Sequence, residues 1–177
     1  MKKLIVSIII CLSFGKSFGQ VPDDGSVLSK PELDKFVGTW KWNNGGPSDE
    51  VTVMLKKVSF HFTGQADYYE DILVGGFKYV QNGATIEDNL SDFSTLGPVS
   101  NAPIVIYQWR TGDIVFGFLH DATKHKSEEL RLVYNNAATP YMFWELHIPE
   151  GGYGIYPSRP APGLSVTLPE SITLSKQ

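Results

Sequence analysis

The chain has 177 residues, a formal net charge of −4 and a hydrophobic content of 42%. That length fits one ordinary domain with a buried core. The acidic balance argues against a nucleic-acid partner and against binding to anionic lipid surfaces, because both need a basic face. We therefore expect neither kind of partner.

The N-terminal residues 1–19 have the pattern of an export signal peptide. A short basic start precedes an apolar run over residues 4–14, and residues 17–19 offer small side chains for cleavage before Gln20. The apolar run is too short for a permanent span of the bilayer. We therefore expect an exported protein, periplasmic or secreted, with no integral membrane span after cleavage. An uncleaved anchor or lipidation at Cys11 is the alternative.

Cleavage before Gln20 changes the composition of the chain. It removes three lysines and the only cysteine, and it leaves 158 residues with a net charge of −7. Without cysteine, the mature chain has no disulfide, no thiolate metal site and no cysteine nucleophile. Its stability then depends on the apolar core alone.

A polar, turn-rich lead-in segment follows at residues 20–33. Ser29 stands two residues before Pro31, and this order predicts one short helical turn whose first N–H groups are capped by the serine. The barrel domain described below is predicted to span residues 34–177.

The most informative stretch begins at Phe36 and ends at Trp42. Read with a period of two, it places Phe36, Gly38, Trp40 and Trp42 on one face of a strand. A glycine two residues before a tryptophan allows another segment to pass close to the backbone, while the indole plugs one end of a barrel. The stretch therefore predicts a closed or nearly closed antiparallel β structure.

Short predicted strands, separated by Gly, Asn and Pro, follow along the rest of the chain. This spacing is typical of an all-β barrel or sandwich, and no stretch has the sustained period that a long helix needs. Gly75-Gly76 is interpreted as a bulge or bend, residues 88–102 as a loop, and residues 149–170 as an irregular strap. The predicted strands span residues 36–43, 50–60, 67–74, 77–82, 84–89, 103–110, 113–119, 128–135, 141–148 and 171–176.

Asn82-Gly83 is a strong signal for a two-residue hairpin turn. Counting outward from the turn gives a register in which opposite charges face each other and apolar side chains pack together. The predicted pairs are Gln81 with Ala84, Val80 with Thr85, Tyr79 with Ile86, and Lys78 with Glu87.

A second hairpin is predicted to turn at Thr111-Gly112. Its apolar side chains share one face, which we expect to be buried against a core or a ligand because each ring contributes about 1.5–3 kcal/mol on burial. The predicted pairs are Arg110 with Asp113, Trp109 with Ile114, Tyr107 with Phe116, and Val105 with Phe118.

The Gly38-Thr39-Trp40 strand resembles the first strand of lipocalin-like (calycin-type) proteins, in which a Gly-x-Trp motif marks the start of the barrel. The layout over residues 34–148 is also similar to an uncharacterised family of small exported bacterial proteins. The resemblance implies an up-and-down antiparallel barrel of about 8–10 strands. It also implies a late-strand arginine, here Arg131, stacked across Trp40; a solvated strand charge is the other interpretation of Arg131.

Motifs for catalysis are missing from the sequence. His120-Asp121 with His125 is the one histidine cluster, and we interpret it as a solvated loop because zinc needs three converging ligands. Adjacent carboxylates such as Glu128-Glu129 point to opposite faces of a strand and form no catalytic dyad. No nucleophile elbow, P-loop or dinucleotide fingerprint occurs. We expect no enzyme activity, no metal and no cofactor.

The leading hypothesis is an exported, non-enzymatic protein that binds a small apolar or aromatic ligand inside the barrel. The same rings would also fill an eight-stranded barrel. The alternative is therefore a structural or interaction module of the cell envelope, which binds a protein partner through its outer surface and the strap with Tyr153, Tyr156 and Arg159. The predicted ligand-binding residues are Trp40, Trp42, Val105, Tyr107, Trp109, Ile114, Phe116, Phe118 and Trp144, and the predicted closure residues are Gly38, Trp40 and Arg131.

Overall fold

The computed structural model describes most of the chain after the predicted signal peptide. The predicted signal peptide, the turn at 111–112, His125 and the strap up to residue 166 lie outside the described residues, as do the side chains of residues 108–110. The described residues are 22–46, 48–64, 66–90, 93, 99, 102–110, 113–124, 126–147 and 167–177.

Strands dominate the described part of the chain, with one short 3₁₀ helix ahead of the first long strand. The 3₁₀ helix spans Pro31–Phe36. The strands are β1 (Val27–Leu28), β2 (Gly38–Asn43), β3 (Glu50–Phe62), β4 (Tyr68–Gln81), β5 (Ala84–Asp88), β6 (Ile104–Arg110), β7 (Ile114–Asp121), β8 (Lys126–Asn135), β9 (Tyr141–His147) and β10 (Ser171–Lys176).

Eight of these strands form a closed antiparallel barrel with up-and-down connectivity. Going round the ring, the order is β4, β3, β2, β10, β9, β8, β7 and β6, and the pairing of β6 with β4 closes it. β1 pairs in parallel with β4, and β5 pairs antiparallel with β4, so both lie off the ring. The predicted all-β, up-and-down barrel is confirmed.

The lead-in segment differs from its prediction in one contact. Lys30, and not Ser29, is the residue that caps the 3₁₀ helix, and it makes no side-chain capping hydrogen bond. The Ser29 hydroxyl instead donates to Asp71 Oδ2 at 3.2 Å. Ser29 therefore ties the lead-in to β4, so its predicted capping role is wrong.

The predicted break at Gly75-Gly76 is wrong, because β4 runs through it as one strand of 14 residues. A Cβ atom on Gly75 would lie 2.6 Å from Leu55 Cδ2, and one on Gly76 would lie 2.9 Å from Phe93 Cβ. Both distances are shorter than real contacts. The glycines therefore allow close packing against both faces of the strand, and β4 pairs with β3 through them without a register shift.

The hairpin at Asn82-Gly83 has the predicted turn, with φ of +52° and +77° at the two central residues. The pairs Gln81–Ala84 and Val80–Thr85 are confirmed. Beyond them the register shifts by one residue, so the predicted pairs of Tyr79 and Lys78 are wrong. Tyr79 pairs with Glu87, and Lys78 pairs with Asp88, because β5 carries one extra residue at this point.

The second hairpin also contains a bulge, at Tyr107. The pair Val105–Phe118 is confirmed, but the other predicted pairs are wrong. The observed pairs nearer the turn are Gln108 with Phe116, Trp109 with Val115, and Arg110 with Ile114.

The predicted buried face of this hairpin is also wrong. The fully buried side chains are those of the alternate positions, Ile104, Val115 and Leu119. Phe118 and Tyr107 are exposed instead. Since side chains alternate along a strand, the face predicted to meet the core lies on the outside of the barrel.

Two apolar clusters stabilise the fold. The larger one lies inside the barrel and includes Phe36, Trp40, Phe77 and Trp144, all fully buried. The smaller one lies on the outer face of β3 and β4, where Phe93 covers Ile72 and Val74. Within the described residues, no helix is long and apolar enough to cross a membrane.

Candidate functional site

One end of the barrel is organised around Trp40. Its indole Nε1 donates to the Phe36 carbonyl oxygen at 2.8 Å, and its ring meets Tyr134 edge-on with centroids 6.1 Å apart. Gly38 has φ of +128°, and a Cβ atom there would lie 3.4 Å from Lys176 Cε. The positive φ, and not a lack of space, therefore requires the glycine at the start of β2, the strand that pairs with the end of β10.

The cation beside Trp40 comes from a different strand than predicted. Lys176 Nζ lies 5.2 Å from the centroid of the Trp40 ring and donates to the Lys35 carbonyl oxygen at 3.2 Å. Arg131 instead forms an ion pair with Glu145 on the outer face of β8 and β9. The predicted stacking of Arg131 across Trp40 is therefore wrong, and Lys176 takes that position.

The predicted ligand-binding residues divide between the two faces of the barrel wall. Trp40 and Trp144 are fully buried inside, and Trp42 packs against the same inner cluster. Tyr107 and Phe118 are exposed outside, with ring centroids 5.9 Å apart. The others on the outer face are Val105, Ile114 and Phe116, and the side chain of Trp109 lies outside the described part of the chain.

The inside of the barrel also holds polar atoms that sequence reasoning missed. Glu128 is only 4% exposed, and its Oε1 atom has no hydrogen-bond partner among the residues that the structure describes. Trp144 is fully buried, and its indole Nε1 has no partner either. Buried polar atoms are nearly always hydrogen-bonded in folded proteins. A buried acceptor and a buried donor without partners, inside one apolar barrel, therefore mark the candidate site.

The strands place Glu128 far from the Trp40 end. Glu128 lies on the inner face of β8 together with Leu130 and Leu132, and it stands opposite Leu119 of β7. Tyr134, which contacts Trp40, is six residues further along β8, a separation of about 20 Å. The unpaired carboxyl group therefore belongs to the opposite end of the barrel.

Asp121 fixes the chain at this second end of the barrel through hydrogen bonds. Its carboxylate accepts hydrogen bonds from the backbone N–H groups of Thr167, at 2.7 Å, and Lys124, at 2.9 Å. Asp121 is fully buried, so the prediction that it belongs to a solvated loop is wrong. Leu168, next to Thr167, is buried in the inner cluster. The chain entering β10 is therefore held across this end of the barrel by Asp121.

The two buried carboxyl groups have opposite pKa shifts. Burial raises the pKa of Glu128, and the carboxylates of Glu170 and Asp121 add to that effect, whereas Lys126 and Lys124 act against it. Burial alone would also raise the pKa of Asp121, but the hydrogen bonds from Thr167 and Lys124, together with the charge of Lys124, outweigh burial and hold the pKa below its ordinary value. Glu128 therefore retains a proton to higher pH than Asp121 does.

These shifts predict opposite effects of neutral substitutions on stability. A group whose pKa is raised in the folded protein contributes most to stability at pH values below its unfolded pKa of about 4.3. That contribution is lost as the pH rises through the pKa of the folded protein. Glu128→Gln is therefore expected to unfold at a higher temperature than wild type at about pH 7.5, and at the same temperature at about pH 4.

Asp121→Asn is expected to do the reverse. A group whose pKa is lowered in the folded protein contributes to stability at pH values above its unfolded pKa of about 3.9. That contribution is lost as the pH falls through the pKa of the folded protein. The variant should therefore be less stable than wild type at neutral pH and approach it in acid. Thermal unfolding of both variants followed by circular dichroism tests the pair; a loss of stability in Glu128→Gln at neutral pH would contradict the assignment for Glu128.

The arrangement of Glu128 and Trp144 is better suited to ligand binding than to catalysis. A carboxyl group and an indole N–H in an apolar interior can hydrogen-bond to an enclosed molecule. Among the described residues, no group of three or more His, Cys, Asp or Glu side chains is placed to hold a metal ion. A signal for Glu128 was present in the sequence, since Glu128, Leu130 and Leu132 share one face of the predicted strand at 128–135.

One comparison with known proteins gives a match. A family model described as a family of unknown function (DUF6705) matches residues 1–134, which include Trp40, Asp121 and Glu128. No curated protein and no solved structure matches the chain. Because the matched segment covers about three quarters of the sequence, the chain belongs to the family of unknown function DUF6705.

Proposed function

We propose that the protein is an exported, non-enzymatic binding protein that holds a small apolar or aromatic ligand inside its barrel. The observation that carries this proposal is the pair of buried polar atoms without partners, Glu128 Oε1 and Trp144 Nε1. Both belong to side chains on the inner face, among apolar neighbours.

The energetics support a ligand as the missing partner. Leaving one buried polar atom unsatisfied costs about 1–3 kcal/mol. Two such atoms in one barrel lower stability by an amount that packing must offset in the free protein. A bound molecule that hydrogen-bonds to either atom recovers part of that free energy, and the apolar wall binds the rest of the molecule.

Two sequence features support the exported location. Residues 1–19 have the pattern of a cleavable signal peptide, and the only cysteine, Cys11, lies within it. The resemblance of Gly38-Thr39-Trp40 to the first strand of lipocalin-like proteins supports a carrier role, because that fold encloses small ligands.

Ligand binding is tested by titrating the purified protein with fatty acids, haem and small aromatic compounds while recording tryptophan fluorescence. We expect a saturable change with at least one compound. Trp144→Phe should remove most of the change, and Glu128→Gln should weaken the affinity. Phe143→Leu is the matched control for Trp144, because Phe143 is its neighbour on the outer face.

Two outcomes would contradict the carrier. The first is that no compound of the panel gives a saturable change. The second is a change that both inner-face variants leave intact, since the compound would then bind outside the barrel.

A second candidate function is favoured by the outer face. Tyr107, Phe118 and Phe143 are 37%, 41% and 42% exposed on β6, β7 and β9. Tyr107 and Phe118 lie side by side, with ring centroids 5.9 Å apart, whereas Phe143 lies apart from them on β9. Exposed aromatic side chains are enriched at protein interaction surfaces. An envelope protein captured by wild type but not by a Phe118→Ser/Phe143→Ser variant, together with no ligand response, would favour the interaction module over the carrier.

A further inference from the structure

We propose that the ligand carries a protonated amine beside its apolar body, and that the carboxyl group of Glu128 pairs with this amine. The inference rests on the proposed carrier function and names the chemical class of ligand. It is argued from the burial of Glu128, from the charges around it and from the donor at Trp144.

Glu128 forms no ion pair within the described part of the chain, although Arg131 on the same strand and Lys78 on β4 do pair with carboxylates. A carboxyl group that is 4% exposed belongs to a residue type that is almost never fully buried unless it is paired. A ligand cation would supply the missing pair.

The charges at this end of the barrel favour a cationic ligand over an anionic one. The carboxylates whose charges act on Glu128 are those of the buried Asp121 and the exposed Glu170, and both disfavour a further negative charge there. The oxygens of Asp121 already accept backbone N–H groups of Thr167 and Lys124. Glu128 is therefore the carboxyl group with an oxygen still open to a donor, and a ligand carboxylate placed there would meet like charges.

The lysines of the same region oppose the rise in the pKa of Glu128 without cancelling it. Lys124 and Lys126, in the connection from β7 to β8 and at the start of β8, lower the pKa of Glu128, but burial outweighs them. Lys124 is exposed and Lys126 is half-buried, so solvent screens their charges more than it screens a charge at Glu128.

The other buried atom without a partner among the described residues is the indole Nε1 of Trp144. An indole N–H only donates, so Trp144 needs an acceptor on the ligand and cannot hydrogen-bond to an ammonium group. Trp144 stands opposite Leu132, four residues along β8 from Glu128, or about 13 Å. The favoured ligand is therefore elongated, with the amine at the Glu128 end and, beyond an apolar stem, an acceptor that reaches the indole N–H.

Proton release is the expected signature of this pairing. In the free protein, burial favours the protonated form of Glu128, whereas an ammonium group favours the carboxylate. Binding of the amine therefore displaces a proton from Glu128 to solvent, and the affinity rises with pH above the ordinary value of about 4.3. An uncharged ligand of the same length shows no such dependence.

The experiment compares octylamine, octanol and octanoate on the wild-type protein, on Glu128→Gln and on Glu129→Gln. Glu129 is the matched control, because it is the adjacent carboxyl group on the other face of β8. We expect octylamine to bind wild type about tenfold more tightly than octanol, as a charge-assisted hydrogen bond predicts. Glu128→Gln should lose this preference, whereas Glu129→Gln should keep it.

The outcomes separate this inference from the proposed function. If the three probes bind wild type equally, or if octanoate binds most tightly, the amine inference is overturned and the carrier stands. If both variants lose the preference alike, nonspecific charge explains it and the inference is also overturned. If none of the probes and no compound of the fluorescence panel binds, both proposals are wrong. Unfolding curves for the two variants confirm that each is folded.

Discussion

Replacing Trp40 with Ala is expected to lower the free energy of unfolding by about 3–5 kcal/mol. Trp40 is fully buried, hydrogen-bonded to the Phe36 carbonyl oxygen and packed edge-on against Tyr134. It also lies where β2 and β10 meet. The substitution therefore removes core packing and one buried hydrogen bond at the point where the barrel closes.

Trp40→Phe separates these contributions. It keeps an aromatic ring but leaves the Phe36 carbonyl oxygen without its donor, and we expect it to lie between wild type and Trp40→Ala. The control is Phe143→Ala on the exposed outer face, which should change stability by less than about 1 kcal/mol. Urea unfolding monitored by circular dichroism measures all three. A loss in Trp40→Ala no larger than that of the control would contradict the closing role of Trp40.

The fold was predictable from the sequence because several local signals agreed. The Asn82-Gly83 turn, the alternation in β2 and the short strands between turn residues all indicate an antiparallel barrel. Gly75-Gly76 carried no such information. A glycine pair in a strand marks either a bend or close packing, and only the positions of Leu55 and Phe93 show that close packing explains it.

The register was harder to predict because of two bulges. One extra residue moves every later side chain to the other face of a strand. In the first hairpin the pairs next to the turn are correct and those beyond the bulge are not. In the second, Tyr107 is the extra residue, so Trp109 pairs with Val115 and not with Ile114. The choice of the inner face was a separate error, because Val105 pairs with Phe118 as predicted and Phe118 still lies outside. Nothing in the local sequence marks Tyr107 as bulged.

The candidate site was visible in the sequence only in part. Alternation in β8 already places Glu128 with Leu130 and Leu132 on one face. That its oxygen has no partner depends on what β7, β9 and the chain after Thr167 bring to that end. The choice between Arg131 and Lys176 at Trp40 has the same cause, because it depends on β10 closing the barrel against β2.

Gly117 is the position where a single methyl group is expected to be least tolerated. A Cβ atom there would lie 2.6 Å from Ile106 Cα and closer still to the Val105 carbonyl oxygen. Those atoms are backbone of the neighbouring strand and flank the bulge at Tyr107. Backbone cannot rotate away as a side chain can, so Gly117→Ala requires β6 and β7 to separate.

We expect Gly117→Ala to lower the free energy of unfolding by about 3 kcal/mol, the upper part of the range for overpacked cores. Gly46→Ala is the matched control, because its Cβ atom would come no closer than 3.9 Å to another side chain. It should be within about 0.5 kcal/mol of wild type. Urea unfolding of both variants tests this. Equal stabilities would mean that β6 and β7 can pair without this close approach of Gly117 to the backbone beside the bulge.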